Sequence, residues 1–290
     1  MFGPNTYFED TVSIHCSHRD QSFFKLFDQV RELFAVKFGL EDYDILFIPG
    51  SATVGIEATM FSMKYRIKMA GYEGEFKKRW NQMLQNYPKK DSYPEAEMFC
   101  RLETSISAPF SKEDCIVDAV SAFPYYDLPK GTKVMCTCLN KQLASYVGLA
   151  VVCVKKDQWE HCMDSDVFSY LNLRRYKDYA NHHQTPNTSP TYIYEHFCRV
   201  LKNFDLEQFR DRINKVSDLI CGAIPEEYII GEKRCPVITI KKEAFKNKMS
   251  LAEKFDLYGY WTGKPDYQIF TYTSPVEDYE EFVKQYRSSC

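Results

Sequence analysis

Three short stretches of this sequence place reactive residue types directly after apolar runs. The first is Pro49-Gly50-Ser51-Ala52-Thr53-Val54-Gly55-Ile56-Glu57-Ala58, where an apolar run ends and a helix is expected from about Thr53. Free backbone N–H groups and hydroxyls at a helix start can hold a phosphate. Ser51 and Thr53 equally suit ordinary helix caps. The second is Asp118, close to the end of Cys115-Ile116-Val117-Asp118-Ala119-Val120. A buried carboxylate needs a cation or hydrogen-bond donors. A protonated pyridine nitrogen would serve, and so would the turn at Ser121 if Asp118 were a structural cap. The third is Lys141, in Thr137-Cys138-Leu139-Asn140-Lys141-Gln142. In a crevice, desolvation or nearby cations lower a lysine's pKa until it forms imines with aldehydes. On a solvated surface it would have no such role.

The elements that must carry these residues follow from hydrophobic spacing. Phe23, Phe27, Val30, Phe34 and Phe38 recur at helical spacing, and Gly39 follows as a stop signal. Short apolar runs at residues 43–48, 115–120, 133–138 and 147–154 predict buried strands. Residues 192–223 read as largely helical. Beyond Pro236 the pattern becomes a strand (237–240), a helix (244–255), a strand (267–273) and a helix (276–286). This alternation predicts an α/β fold, a mostly parallel sheet with helices on both faces plus a small C-terminal α+β domain. The domains are expected at 1–225 and 226–290, with the division near residues 222–235 and the first residues able to join the smaller domain. In such sheets ligands collect outside the carboxyl ends of the strands. An anion cradle, an acid and a lysine at successive strand ends are the parts that a pyridoxal 5′-phosphate (PLP) site requires. They would anchor the phosphate, keep the ring nitrogen protonated and hold the aldehyde.

With these parts in place, the sequence resembles the class V aminotransferases of PLP fold type I (the aspartate aminotransferase-like fold). Within them it is most similar to 2-aminoethylphosphonate:pyruvate and alanine:glyoxylate transaminases. Gly3-Pro4 and Ser17-His18-Arg19-Asp20-Gln21-Ser22-Phe23 look like the family's Gly-Pro and Ser-His-Arg-x-x-x-Phe. Pro49 to Ala58 resembles its phosphate turn, and Gly71-Tyr72-Glu73-Gly74 falls where the family has Gly-x-aromatic-Gly. Glu103-Thr104-Ser105 is like its Glu-Thr-Thr/Ser strand end. Val117-Asp118-Ala119-Val120-Ser121-Ala122-Phe123 is similar to Val-Asp-Ala-x-Ser-Ser-Phe. Asn140-Lys141 with Val147-Gly148-Leu149 resembles Asn-Lys…Pro-Gly-Phe, and Asn187-Thr188-Ser189-Pro190-Thr191 looks like Phe-Thr-Ser-Pro-Thr.

The resemblance implies that Lys141 carries PLP as an imine and serves as the proton-transfer base, with Asp118 beneath the pyridine nitrogen. It implies phosphate contacts from Ser51, Ala52 and Thr53, and from Thr188 of a partner subunit. Tyr72 would stack on the ring, and Thr104 or Ser105 would touch it. Ser121, Cys138 and Ser189 complete the implied cofactor-binding set. A homodimer with shared sites follows, acting on small amine and carbonyl substrates. The chain is shorter than a usual family member, chiefly between Ser62 and Glu103, which implies a lost helix–strand unit. Where the family carries a substrate-gripping arginine near the C-terminus, Tyr267-Gln268-Ile269-Phe270 puts Gln268. A neutral amide cannot form the ionic fork of arginine. Arg19, Arg174 and Arg175 are candidate replacements. An alternative reading is a PLP-dependent decarboxylase or lyase acting on an atypical, even nucleotide-linked, substrate; another is a non-catalytic relative.

Composition sets outer limits. The 290 residues are 44% hydrophobic, 27% charged and 16% aromatic, with a net charge of −3. Mixed charge of this kind predicts no non-specific nucleic-acid binding. No apolar run approaches the roughly 18 residues of a membrane span. The 11 cysteines and the lack of a signal peptide predict free thiols in a reducing compartment, the cytoplasm, or a host's cytoplasm were the gene viral. Cys136-Thr137-Cys138 finds no second pair at zinc-ligand spacing, so no metal site is expected.

Overall fold

The apolar stripe that begins at Phe23 forms the first helix, and Phe23, Phe27, Val30 and Phe34 are its buried residues. Gly39 ends it in the left-handed region, its N–H returning to the carbonyl of Ala35. The computed structural model describes residues 16–288, so the Gly3-Pro4 motif lies outside the described residues. In chain order the elements are α1 (Gln21–Phe38), β1 (Tyr43–Pro49), α2 (Ala52–Ser62), β2 (Arg66–Met69), α3 (Glu75–Leu84) and β3 (Glu95–Cys100). There follow β4 (Leu102–Glu103), β5 (Ala108–Pro109), β6 (Ile116–Asp118), β7 (Val134–Cys138), β8 (Leu149–Lys155), α4 (Leu173–Ala180) and α5 (Thr191–Asn203). The chain ends with α6 (Leu206–Cys221), β9 (Ile229–Ile230), β10 (Val237–Lys241), α7 (Met249–Lys254), β11 (Asp266–Phe270) and α8 (Val276–Ser288).

Two compact units result. Of the described residues, the larger takes 16–101 and Phe110–Phe204. Its six-stranded sheet has the order β1-β8-β7-β6-β3-β2. The pairs β2–β3, β3–β6 and β6–β7 are parallel, whereas β8 runs antiparallel to both β7 and β1. Five strands therefore point one way and β8 alone points back, the mostly parallel sheet that the alternation predicts. Alternate strand residues feed two cores. Ile45, Phe47, Val117, Met135 and Val151 join the aromatic faces of α1 and α5. Leu46, Ile48, Ile116, Val134 and Val152 join residues of α2 and α4 on the other side. With both faces covered, the strands are continuous apolar runs, which is why they were readable.

The smaller unit joins Leu102–Pro109 to the chain from Asp205 onward. Its sheet has the order β11-β10-β9, and β4 pairs with β5 as a separate hairpin. The sequence put the division at 225/226, whereas α6 groups with the smaller unit. The helical stretch expected over 192–223 is two helices, because Asp205 caps the second by accepting the N–H of Gln208 at 3.0 Å. The helix expected over 244–255 is a 3₁₀ turn, Lys242–Phe245, followed by the short α7. The shortened stretch after Ser62, expected to have lost a helix–strand unit, holds β2, α3 and β3. Among the described residues, no helix is long and apolar enough to cross a membrane.

Two glycines fix the edge of the larger sheet. Gly50 and Gly148 both have φ of 135°, and the Gly50 N–H donates to the Gly148 carbonyl at 2.8 Å. A Cβ at Gly148 would sit 2.8 Å from Ile193 Cδ1. Strain and this contact together predict that Gly148→Ala destabilises the protein by about 1–3 kcal/mol. Chemical denaturation measures it, and unchanged stability would show that the backbone here is not constrained.

Candidate active site

Strand direction brings the three chemical stretches together. Because β1, β6 and β7 run the same way in one sheet, their carboxyl ends Pro49, Asp118 and Cys138 lie along one edge. Register ties them closely. Pro49 pairs with Leu149, Cys138 with Ala150, and Asp118 with Cys136. Cys100, the last residue of β3, pairs with Asp118 on its other side.

Asp118 is the most constrained group at this edge, only 2% exposed. Its Oδ1 accepts the Val120 N–H at 3.0 Å, so it caps the following turn, at Val120 rather than Ser121. Its Oδ2 accepts the Trp80 indole N–H at 2.8 Å. Burial pushes its carboxyl above the usual carboxylate range. The Val120 and Trp80 hydrogen bonds, the Lys141 charge and the Cys100 thiol pull the other way. Lys141 follows β7 and is half-buried. Its ammonium donates to Ser121 Oγ at 2.7 Å. The amine is thus held three residues beyond Asp118, near enough for its charge to act on that carboxylate.

The turn before α2 is the one that the resemblance expects to hold a phosphate. Ser51 is the N-cap of α2, but its side chain makes no capping bond. Its hydroxyl is exposed, and Ala52 and Thr53 are half-buried. Cys138 is buried, and burial raises its thiol pKa, opposed by the Lys141 charge and the Lys141 and Asn140 N–H groups. Ser189 is also buried, its hydroxyl paired with the Tyr194 hydroxyl at 3.1 Å, while Thr188 is exposed.

Tyr72 is 51% exposed and packs edge-on against Phe110 at 5.7 Å. The aromatic ring that meets Asp118 is Trp80. Thr104, Ser105 and Gln268 all belong to the smaller unit. There Gln268 Nε2 donates to the Thr104 carbonyl at 2.5 Å, and Ser105 Oγ donates to Glu103 at 2.6 Å. The candidate arginines all have protein partners. Arg19 donates to Gln184 and lies over the Tyr179 ring, Arg174 donates to the Trp159 carbonyl, and Arg175 lies over Phe168.

Three positioning groups escaped the sequence reading. Trp80 is one, and the sole hint was a lone tryptophan in the polar stretch Glu75–Leu84. Gln142 is another. Its Nε2 donates to the Ser121 carbonyl at 2.6 Å and its Oε1 accepts the Tyr125 N–H at 3.1 Å, clamping the Asp118 turn to the Lys141 turn. The third is His196 on α5, whose Nδ1 lies 2.9 Å from Ser145 Oγ. Both are buried, and their bond pins the far side of the Lys141 turn.

No family profile and no curated protein matches the sequence. Solved structures match it in fold. An aspartate aminotransferase of subgroup IV from Thermus thermophilus superposes with a TM-score of 0.77 at 16% identity, over 96% of this chain and 93% of its own. A phosphoserine aminotransferase, studied for radiation damage of its Schiff base, gives 0.77 at 16% over 95% and 90%. The alanine–glyoxylate aminotransferase of Nostoc sp. gives 0.77 at 14% over 96% and 89%. At such identities the likeness establishes the fold, and it is the aminotransferase-like fold that the sequence resembled.

The buried carboxylate has a measurable consequence without any ligand. An isolated Asp titrates near 3.8, and in the folded chain Asp118 titrates higher. The native state therefore keeps a proton where the unfolded chain has released it. The resulting stabilisation is complete below 3.8 and is lost as pH rises through the folded value. In cofactor-free protein, Asp118→Asn is expected to flatten this fall. Denaturation at a series of pH values checks it, and parallel slopes in both proteins would contradict it.

Proposed function

We propose that the chain is a PLP-dependent aminotransferase, moving an amino group between a small amine or amino acid and a carbonyl acceptor. One observation carries the reading. A half-buried lysine amine, a fully buried carboxylate and a helix start with an unengaged serine share one edge of a single sheet, with the amine's charge acting on the carboxylate. The aminotransferases that share this fold support it.

The residues suit the group. A carboxylate whose ionisation burial opposes is matched by a ring cation, which restores the charged form. The α2 start presents N–H groups and the Ser51 and Thr53 hydroxyls, donors fitted to a phosphate. When bound, PLP supplies an aldehyde that captures amines covalently and a ring that accepts the electron pair released at the adjacent carbon.

The chain's own residues would do the rest. Lys141 Nζ would hold the cofactor's aldehyde and, when free, would serve as the base that takes up and returns a proton at its amine. Asp118 would pair with the ring nitrogen and hold its proton there. Ser121 Oγ, which accepts from Lys141, steadies the amine between these tasks. Gln142 keeps Ser121 and Lys141 in register. The enzyme would act in the cytoplasm as a homodimer, with exposed Thr188 reaching the phosphate held by a partner subunit.

The direct test is purified protein with added PLP, screened against a panel of amines and amino acids. The expected result is a visible absorption band that an amine donor converts to that of the aminated cofactor and a carbonyl acceptor restores. Lys141→Ala should abolish the covalent band and lower turnover by more than about 10²-fold. An active Lys141→Ala enzyme would overturn the reading.

A further inference from the structure

Trp80 is the one buried residue of α3, whose remaining sequence is largely polar. A tryptophan buried for packing alone still needs a partner for its N–H. Here the partner is the side chain at the centre of the site, and the indole nitrogen lies 2.8 Å from Asp118 Oδ2. The other oxygen is held by the Val120 N–H at 3.0 Å. Two donors on two different oxygens fix the carboxylate plane, since rotation about either side-chain torsion would break one of them. Neither oxygen is exhausted, because a carboxylate oxygen accepts more than one hydrogen bond.

We propose that Trp80 is a positioning residue that aims Asp118 at the ring nitrogen of the cofactor, acting through its indole N–H. The inference rests on the PLP reading of the site. Its chemical content is specific. The α3 donor orients the acceptor but does not replace the ring N–H, so its effect is felt only by a cofactor that has a nitrogen at that position. Trp80 links a helix outside the three recognised stretches to the site's acid, a link that spans 38 residues of sequence.

The test compares PLP with its 1-deaza analogue, in which a CH group replaces the ring nitrogen, by equilibrium binding to cofactor-free protein followed by absorbance. Trp80→Phe keeps a ring and removes the donor. A hydrogen bond to a charged group is worth enough for an expected loss of about ten-fold in PLP affinity. Affinity for the deaza analogue should stay unchanged. In an Asp118→Asn background, Trp80→Phe should have no further effect on PLP affinity. Equal losses for the two ligands would assign Trp80 a packing role and overturn the proposal, as would no loss for either. Should Trp80→Phe not fold, site-specific replacement of the indole by benzothiophene keeps the shape without the N–H and is scored in the same way. Wild-type protein that binds neither ligand would instead remove the cofactor reading on which the proposal stands.

Discussion

A carboxylate withdrawn from water at the tip of a strand governs the rest of this site. An ionised group in that position is tolerated only if donors or cations surround it. The chain supplies them from separate directions. The turn after β6 gives a backbone N–H, α3 gives an indole, and the Lys141 turn gives a positive charge. The oxygens of Asp118 thus have fixed partners before any ligand arrives. Burial still favours the neutral acid, so these donors offset its desolvation only in part.

The sheet converts this local requirement into geometry. Five strands run in one direction, so their carboxyl ends reach a common edge without long connections. The one reversed strand, β8, lies between β1 and β7 and brings Gly148 against Gly50. The turn before α2 is thereby tied by backbone hydrogen bonding to the segment that follows Lys141. On the opposite side of that segment, Ser145 bonds to His196 of α5. The lysine is carried on a loop that leaves β7 and is anchored twice on its way to β8, the usual way for a rigid scaffold to present reactive groups on irregular backbone.

Much of this was legible in the sequence, for definite physical reasons. Strands covered on both faces are uninterrupted apolar runs, so residues 43–48 and 133–138 could be recognised directly. The α1 stripe and its glycine stop were equally plain. Asp118 and Lys141 stood out because, with the turn at Ser51, they lie at or near the ends of such runs inside the motifs Val117–Phe123 and Asn140-Lys141. Trp80 did not, because its bond to Asp118 depends on how α3 packs, which no local spacing encodes. Gln142 was hidden beside the lysine, for its use depends on the return of a turn 21 residues earlier. The hairpin of β4 and β5 was missed because two-residue strands leave no period to detect. The break at Asp205 was missed because helical spacing continues across it, although an acidic cap was there to be read.

The path of the chain through its two units sets a limit of a different kind. The hairpin Leu102–Pro109 leaves the larger unit after β3 and returns to it before β6. Inside the smaller unit its Ser107 hydroxyl is buried against the Val237 carbonyl and the Thr239 hydroxyl. The smaller unit is therefore not one uninterrupted piece of gene. A single crossover or a tail truncation near residue 205 could not exchange it cleanly, because the hairpin would stay behind with its polar groups stranded.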